Sequence, residues 1–277
     1  MTNKHKHIKE IIHQKMAWWY LSVPFFMILF LLLSIKNLYA ISFDYSIEKY
    51  KPIKQKTQPA DTNVVLNEYR IPILMFHYIR DYQNSQDSIG TNLSVSPKKF
   101  EDTINLIIKN NYSTVTMSEF VSKKINPKSI VLTFDDGYSD FYQNAYPILK
   151  KYNVKAVVYI ITGKTNQGGY LSQAQIDEMS ASGLVEIGAH SVHHLDLARS
   201  TENSVQSEII NSKNQSTSFC YPSGKYNDQT IEIVKNAGYL SAVTTKSGIA
   251  TQKNNMFTLP RIRIQNNTDL QKIIDTL

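Results

Sequence analysis

Apolar positions along the chain fall into two regimes. From Ala17 to Ile35 the sequence reads AWWYLSVPFFMILFLLLSI, a run without a single charge. As a helix it would span about 28 Å at 1.5 Å per residue, enough to cross a bilayer. From Ile71 onward, short apolar runs alternate with longer amphipathic ones, the signature of strands followed by helices. The short runs predict strands at Ile71–Phe76, Ser129–Phe134, Val154–Ile161, Val185–Ala189, Ser218–Tyr221, Ser241–Thr244 and Arg261–Ile264, with helices between them.

Local signals support the helices. After Ser96, a capping residue followed by Pro97 at the first helical position, the spacing sets Phe100, Ile104, Ile107 and Ile108 on one face. Ser172 with Gln175 three residues on has the form of a capping box, and Asn227 or Asp228 can open a helix that stops near Gly238. About seven strands with intervening helices make either a barrel or a wound open sheet, so the fold class is α/β. A barrel places its chemistry at the C-terminal ends of the strands.

The uncharged run divides the chain into a basic tail (1–16), a transmembrane anchor (17–35), a spacer (36–69) and a globular domain (70–277). Trp18, Trp19 and Tyr20 suit a membrane interface, and Lys4, Lys6, Lys9 and Lys15 precede the run, so the tail should stay in the cytoplasm and the domain outside the cell. The alternative is a cleaved secretion signal ending at Leu38-Tyr39-Ala40, which would release the domain. Leu38 is large for that pattern and the apolar run is long for a signal core. The spacer mixes Lys, Gln, Pro, Thr and Asn with few large apolar side chains, too few to offset the entropy of ordering.

Composition then removes several function classes. The formal net charge is +7, but the tail and Lys36 hold more than half of that excess. The domain has no basic stripe with interleaved aromatics, which excludes nucleic acid as the expected partner. A single cysteine, Cys220, rules out an internal disulfide framework, a four-cysteine zinc site and a CxxC redox motif. Any metal must be held by histidine and carboxylate.

Residues able to do chemistry cluster where the predicted strands end. Ser129–Phe134 runs into Asp135-Asp136-Gly137, Val185–Ala189 into His190, Ile71–Phe76 into His77, and Ser218–Tyr221 into Pro222-Ser223-Gly224. Three of the seven histidines, His5, His7 and His13, lie in the tail; the other four, His77, His190, His193 and His194, sit at two strand ends. His190 and His194 are four apart, a spacing that sets two imidazoles on one side of a helical turn, although a surface histidine patch has the same spacing. His193 points away from that pair. Asp135 and Asp136 close a buried strand, and Gly137 permits a sharp turn. Two carboxylates forced together in a partly dry site raise the proton affinity of one, unless a cation offsets the repulsion. One acid and two histidines leave a position open for water, the arrangement of a catalytic metal.

With TFDDG at Thr133–Gly137 and HSxxH at His190–His194, the sequence resembles the polysaccharide deacetylases, the NodB-homology or carbohydrate esterase 4 family, over roughly Ile71 to Ile264. The resemblance implies a distorted (β/α) barrel, with Asp135 as general base and Asp136, His190 and His194 as ligands to a divalent metal. Zinc is the usual ion, with cobalt, nickel or manganese able to serve. The family commonly carries RxPxG after the histidine motif, its arginine orienting the base. Here Cys220-Tyr221-Pro222-Ser223-Gly224 puts cysteine in that place, so Arg261 or Arg263 on the last strand becomes the candidate support.

Many members supply the acid as a histidine near the end of the domain, and this chain has none after His194. His77 fills that role instead. Phe76-His77-Tyr78 on the first strand resembles the order in deacetylases of poly-β-1,6-N-acetylglucosamine. The implied reaction removes acetyl groups from that polymer: activated water loses a proton to Asp135, the backbone N–H near Ser223 stabilises the oxyanion, and His77 protonates the departing amine. Tyr138, Tyr170 and Tyr221 are candidates to stack on sugar rings. Peptidoglycan and chitooligosaccharides are the alternative substrates, and a glycan-binding domain without turnover is the alternative role.

Overall fold

The computed structural model describes residues 69–276. The tail, the Ala17–Ile35 anchor and nearly all of the spacer lie outside the described residues. Among those described, no helix is long and apolar enough to cross a membrane.

Seven parallel strands form the domain: β1 (Ile73–Phe76), β2 (Ser129–Phe134), β3 (Ala156–Ile160), β4 (Val185–Ala189), β5 (Ser218–Cys220), β6 (Ser241–Ser247) and β7 (Leu259–Arg263). Each pairs with the next in sequence, and β1 pairs with both β2 and β7. The sheet is therefore a closed barrel rather than a wound open sheet. Outer helices follow five of the strands before the next begins: α1 (Pro97–Lys109), α2 (Tyr146–Tyr152), α3 (Gln173–Ala181), α4 (Glu202–Asn211) and α5 (Asp228–Asn236). No helix separates β6 from β7, and α6 (Leu270–Ile274) follows β7.

Strand alternation builds two cores. Leu74, Leu132, Phe134 and Val158 face outward and pack under α1 and α2 with Phe100, Ile104 and Leu149. Their sequence neighbours Ile73, Val131, Val157 and Tyr159 fill the barrel with Cys220, Val243 and Leu259. The β4–β5 seam is the weak one, with a single residue pair, Ala189 opposite Phe219. A cavity of about 890 Å³ lined by Ile187, Ser216 and Thr217 lies beside that seam, and none of Asp135, Asp136, His190 and His194 lines it.

Most boundaries match the hydrophobic pattern to within two residues. Ser96 caps α1 by accepting from Lys99 N–H, and capping boxes open α3 at Ser172 and α5 at Asn227. Ile71 does not extend β1, because Pro72 intervenes and Arg70–Ile71 pairs antiparallel with Ala250–Thr251. Ile108 is not on the buried face of α1: it is 43% exposed, while Phe100, Thr103, Ile104 and Ile107 are buried.

Candidate active site

β2 delivers both acids. Val131 faces the barrel interior, and two further alternations carry Asp135 to the inner rim, where it is 3% exposed. A continuing strand would send Asp136 to the outer face, but its backbone is left-handed (φ 75°), as is that of Gly137 (φ 74°). That turn brings Asp136 back over the mouth, beside two imidazoles.

The histidines do not lie on a helix. Residues 190–194 form a loop, with left-handed backbone at Ser191 and His194 (φ 61° each). The expected helical turn is thus replaced by a folded loop, and the spacing works for a different reason. Ser191 O accepts from Thr162 N–H (3.1 Å) and Val192 O from Gly163 N–H (2.9 Å). Glu208 on α4, 5% exposed, accepts from Val192 N–H (3.0 Å) and His193 N–H (2.7 Å) and pairs with His193 Nδ1 (2.6 Å). His193 is thereby turned outward, its side chain 66% exposed.

Asp136 Oδ1 stands 3.3 Å from His190 Nε2 and 3.6 Å from His194 Nε2. One ligand atom from each of the three lies within 4.8 Å of the others. A tetrahedral ion with bonds of about 2.0–2.1 Å holds its ligand atoms roughly 3.3 Å apart, so the set fits a divalent cation. His190 Nδ1 is bonded to Cys220 O at 2.7 Å. With its proton directed to that carbonyl, the ring presents the Nε2 lone pair, the outer-shell hydrogen bond characteristic of histidine ligands.

Arg261 lies fully buried inside the rim. Nη1 and Nη2 each bond one oxygen of Asp135 at 2.7 Å. Nε donates to Thr244 O (2.8 Å), Nη1 also to Thr133 Oγ1 (3.0 Å), and Nη2 also to Cys220 Sγ (3.3 Å). All five guanidinium N–H groups are engaged. Arg263, the other candidate, is exposed. The thiol at the place of the family arginine therefore touches the arginine that pairs with Asp135.

Electrostatics follow from these pairings. Burial would raise the Asp135 carboxyl, but the Arg261 guanidinium holds it well below the usual carboxylate range. Burial acts likewise on Asp136, and His190 holds it low. The expected raised proton affinity at one acid is absent, because Asp135 is paired with the Arg261 guanidinium and Asp136 with the His190 ring. His77 Nε2 lies 3.9 Å from Asp135 Oδ2. Burial lowers its proton affinity below the ordinary imidazole value, with the two aspartates opposing.

The remaining candidates separate. Ser223 is exposed with left-handed backbone (φ 53°) in the turn Pro222–Gly224 at the end of β5. Gly224 (φ 68°) is required there, since a Cβ would meet Thr245 Oγ1 at 2.0 Å. Tyr221 is no sugar platform: it is 0% exposed, packs on Phe219 and Tyr226, and donates to Phe257 O (3.0 Å). Tyr138 has both ring faces occupied, by Tyr78 (3.8 Å between centroids) and Tyr170 (5.3 Å), so only its edge is available. Arg80 covers the other face of Tyr78 at 3.6 Å. Glu208 and the carbonyl of Cys220 escaped the sequence reading. An acid in an amphipathic helix and a backbone oxygen leave no motif.

Known proteins resemble this chain in sequence and in fold. Residues 122–242 match the family model described as polysaccharide deacetylase. YxkH of Bacillus subtilis, assigned as a polysaccharide deacetylase, is 36% identical over 208 residues, covering 70% of this chain and 71% of that protein. The poly-β-1,6-N-acetyl-D-glucosamine N-deacetylase of Staphylococcus aureus strain N315 is 28% identical over 77% of this chain and 81% of its own. The structure of the Streptococcus pyogenes deacetylase PplD in complex with acetate superposes with a TM-score of 0.70 at 34% identity, covering 76% of this chain and 98% of that one. A closed parallel barrel with two acids after its second strand and paired histidines after its fourth, together with these relatives, makes the chain a member of the polysaccharide deacetylase family and a deacetylase hydrolase.

Proposed function

We propose that the chain removes acetyl groups from N-acetylglucosamine units of an extracellular polysaccharide in a divalent-metal-dependent reaction, with poly-β-1,6-N-acetylglucosamine as the favoured substrate. The observation that carries this reading is the convergence of Asp136, His190 and His194 beside an Asp135 locked by Arg261. The order of His77 before the two motifs and the Staphylococcus aureus relative support that polymer. In this reading Ala17–Ile35 anchors the enzyme in the membrane with the domain outside the cell, and zinc is the ion.

Asp136, His190 and His194 would hold the cation, which when bound supplies Lewis acidity toward the acetamide carbonyl and acidifies nearby water. Asp135, ionised and fixed in direction by Arg261, accepts the proton of the attacking water. Its low proton affinity makes it a weak resting place for that proton, and His77 Nε2, 3.9 Å away and largely neutral at rest, is placed to take it on. From there the proton reaches the departing amine nitrogen. The N–H near Ser223 donates to the oxyanion. The missing arginine of RxPxG favours a binding protein without turnover, whereas the guanidinium that Arg261 places on Asp135 from β7 supports the enzyme reading.

The test is acetate release from purified poly-β-1,6-N-acetylglucosamine and peptidoglycan, with metal analysis of the same protein. Release from the first polymer and a bound divalent ion are expected. Activity on peptidoglycan alone would overturn the exopolysaccharide reading, and no metal with no acetate would overturn the whole.

A further inference from the structure

Two loops that descend into the site continue outward as the walls of a second, shallower depression. One carries Asp196, two residues beyond His194; the other carries Gly224 and Lys225, directly after Ser223. With Arg199, Tyr226 and Lys246 they enclose a groove of about 380 Å³. Its walls are tied together: Asn227 Nδ2 donates to Ala198 O (3.2 Å) and Thr230 Oγ1 to Leu197 O (3.4 Å).

The groove holds three cations and one carboxylate. Asp196 Oδ2 is committed to Lys225 Nζ at 2.9 Å. Among the described residues, neither Arg199 nor Lys246 has an ion-pair partner, and Lys246 Nζ rests 5.2 Å from the centre of the Tyr226 ring. The Tyr226 hydroxyl is buried and, among the described residues, has no hydrogen-bond partner. Like charges gathered on one concave surface raise its potential and concentrate anions there. An unmatched buried hydroxyl beside them is a donor in want of an acceptor.

We propose that this groove is a subsite for a carboxylate carried by the polymer, on a sugar close to the one that is deacetylated, with Arg199 and Lys246 as its charged contacts. The inference rests on the deacetylase reading and adds to it that the polymer, whether poly-β-1,6-N-acetylglucosamine or the alternative, is favoured when it carries acidic substituents. The position supports this, because the groove is walled by the loop that follows His194 and by the turn that follows Ser223, both of which also border the deacetylation site. A neutral glycan would leave Arg199 and Lys246 without a counter-charge from the substrate.

The experiment compares three oligosaccharides of equal length: an uncharged N-acetylglucosamine oligomer, the same oligomer succinylated on its hydroxyls, and a glycan strand alternating with lactyl-ether-bearing sugars. For the full chain, and for Arg199→Ala, Lys246→Ala and the double variant, acetate release gives kcat/KM and calorimetry gives binding. The ratio of kcat/KM on acidic over neutral oligomer should fall about fivefold to tenfold in the double variant, and the wild-type preference should shrink as salt rises. Loss confined to the lactyl or the succinyl glycan identifies the source of the carboxylate. Turnover with an unchanged acidic-to-neutral ratio would overturn the subsite and leave the deacetylase reading intact. No turnover on any glycan, with acidic binding still lost in the double variant, would overturn the deacetylase reading and keep the subsite.

Discussion

Arg261 and Asp135 meet through two parallel hydrogen bonds of 2.7 Å, both residues buried, one from the middle of β7 and the other from just past the end of β2. The pair staples non-adjacent strands across the barrel mouth and aims the base. Arg261→Ala leaves a buried carboxylate without a counter-charge, a change that costs about 3–5 kcal/mol. Thermal unfolding should show that loss, and acetate release should fall with it. The double variant Arg261→Met with Asp135→Asn should recover most of the stability and none of the activity. Recovery of activity in the double variant would refute the assignment of Asp135 as base.

Cys220 joins this pair to the metal ligands. Its thiol, kept protonated because burial pushes it up, accepts from Arg261, while its carbonyl fixes His190. Cys220→Ala removes only the first contact. The expected cost is about 1–3 kcal/mol, that of one buried unsatisfied N–H, with metal affinity unchanged in a chelator competition. A large drop in metal affinity would contradict the separation of the two contacts.

How much of this was legible in the sequence depends on what each residue relies on. Asp135, Asp136, His77, His190 and His194 stand at strand ends, and strand ends are visible as the points where apolar runs stop. Arg261 and Arg263 are not separable in the sequence, because they stand two apart on one five-residue strand and strand alternation gives them the same face. Only the closed barrel decides it, burying one and exposing the other. The i, i+4 spacing of His190 and His194 suggested a helix, whereas left-handed backbone at Ser191 and His194 gives the convergence. Tyr221 reads as a candidate platform because it is an aromatic residue in a predicted strand that runs into the site, and three-dimensional packing makes it core.

Replacing His77 separates proton delivery from binding. The imidazole touches Asp135 rather than the cluster of Asp136, His190 and His194. His77→Ala should lower kcat by about 10²–10⁴, the range for loss of a general acid, with KM and metal content little changed. Equal loss of metal would mean that His77 is structural.

The cluster of Asp136, His190 and His194 joins the ends of β2 and β4, so a bound cation should stabilise the fold. A ligand at 100 times its dissociation constant adds about 2.7 kcal/mol. Chelation should lower the unfolding temperature and abolish acetate release, and zinc or cobalt should restore both. His194→Ala should erase the chelator effect. Persistence of that effect in the variant would place the ion elsewhere.

Asp140 supplies a pH dependence of stability that is independent of catalysis. One carboxylate oxygen accepts from Ile79 N–H (2.9 Å) and the other is buried with no partner among the described residues. Burial raises its proton affinity from the ordinary 3.8 to about 6, against the pull of the Ile79 N–H. Between those values the folded protein keeps a proton that the unfolded chain has lost. Unfolding then releases a proton, so stability declines as pH rises through that window and is level above it. After allowance for solvent screening the decline is about 1–2 kcal/mol. Asp135 acts in the opposite sense and in a lower window: its carboxyl stays ionised in the folded state, so its contribution is lost only as pH falls below about 4. His77 and His194, whose proton affinities burial lowers, act in the opposite sense at about pH 6, so the Asp140 contribution is read as a difference. In urea titrations between about pH 4 and 6, the stability of wild type relative to Asp140→Asn should fall as pH rises. A variant that kept the wild-type slope would assign it to another group.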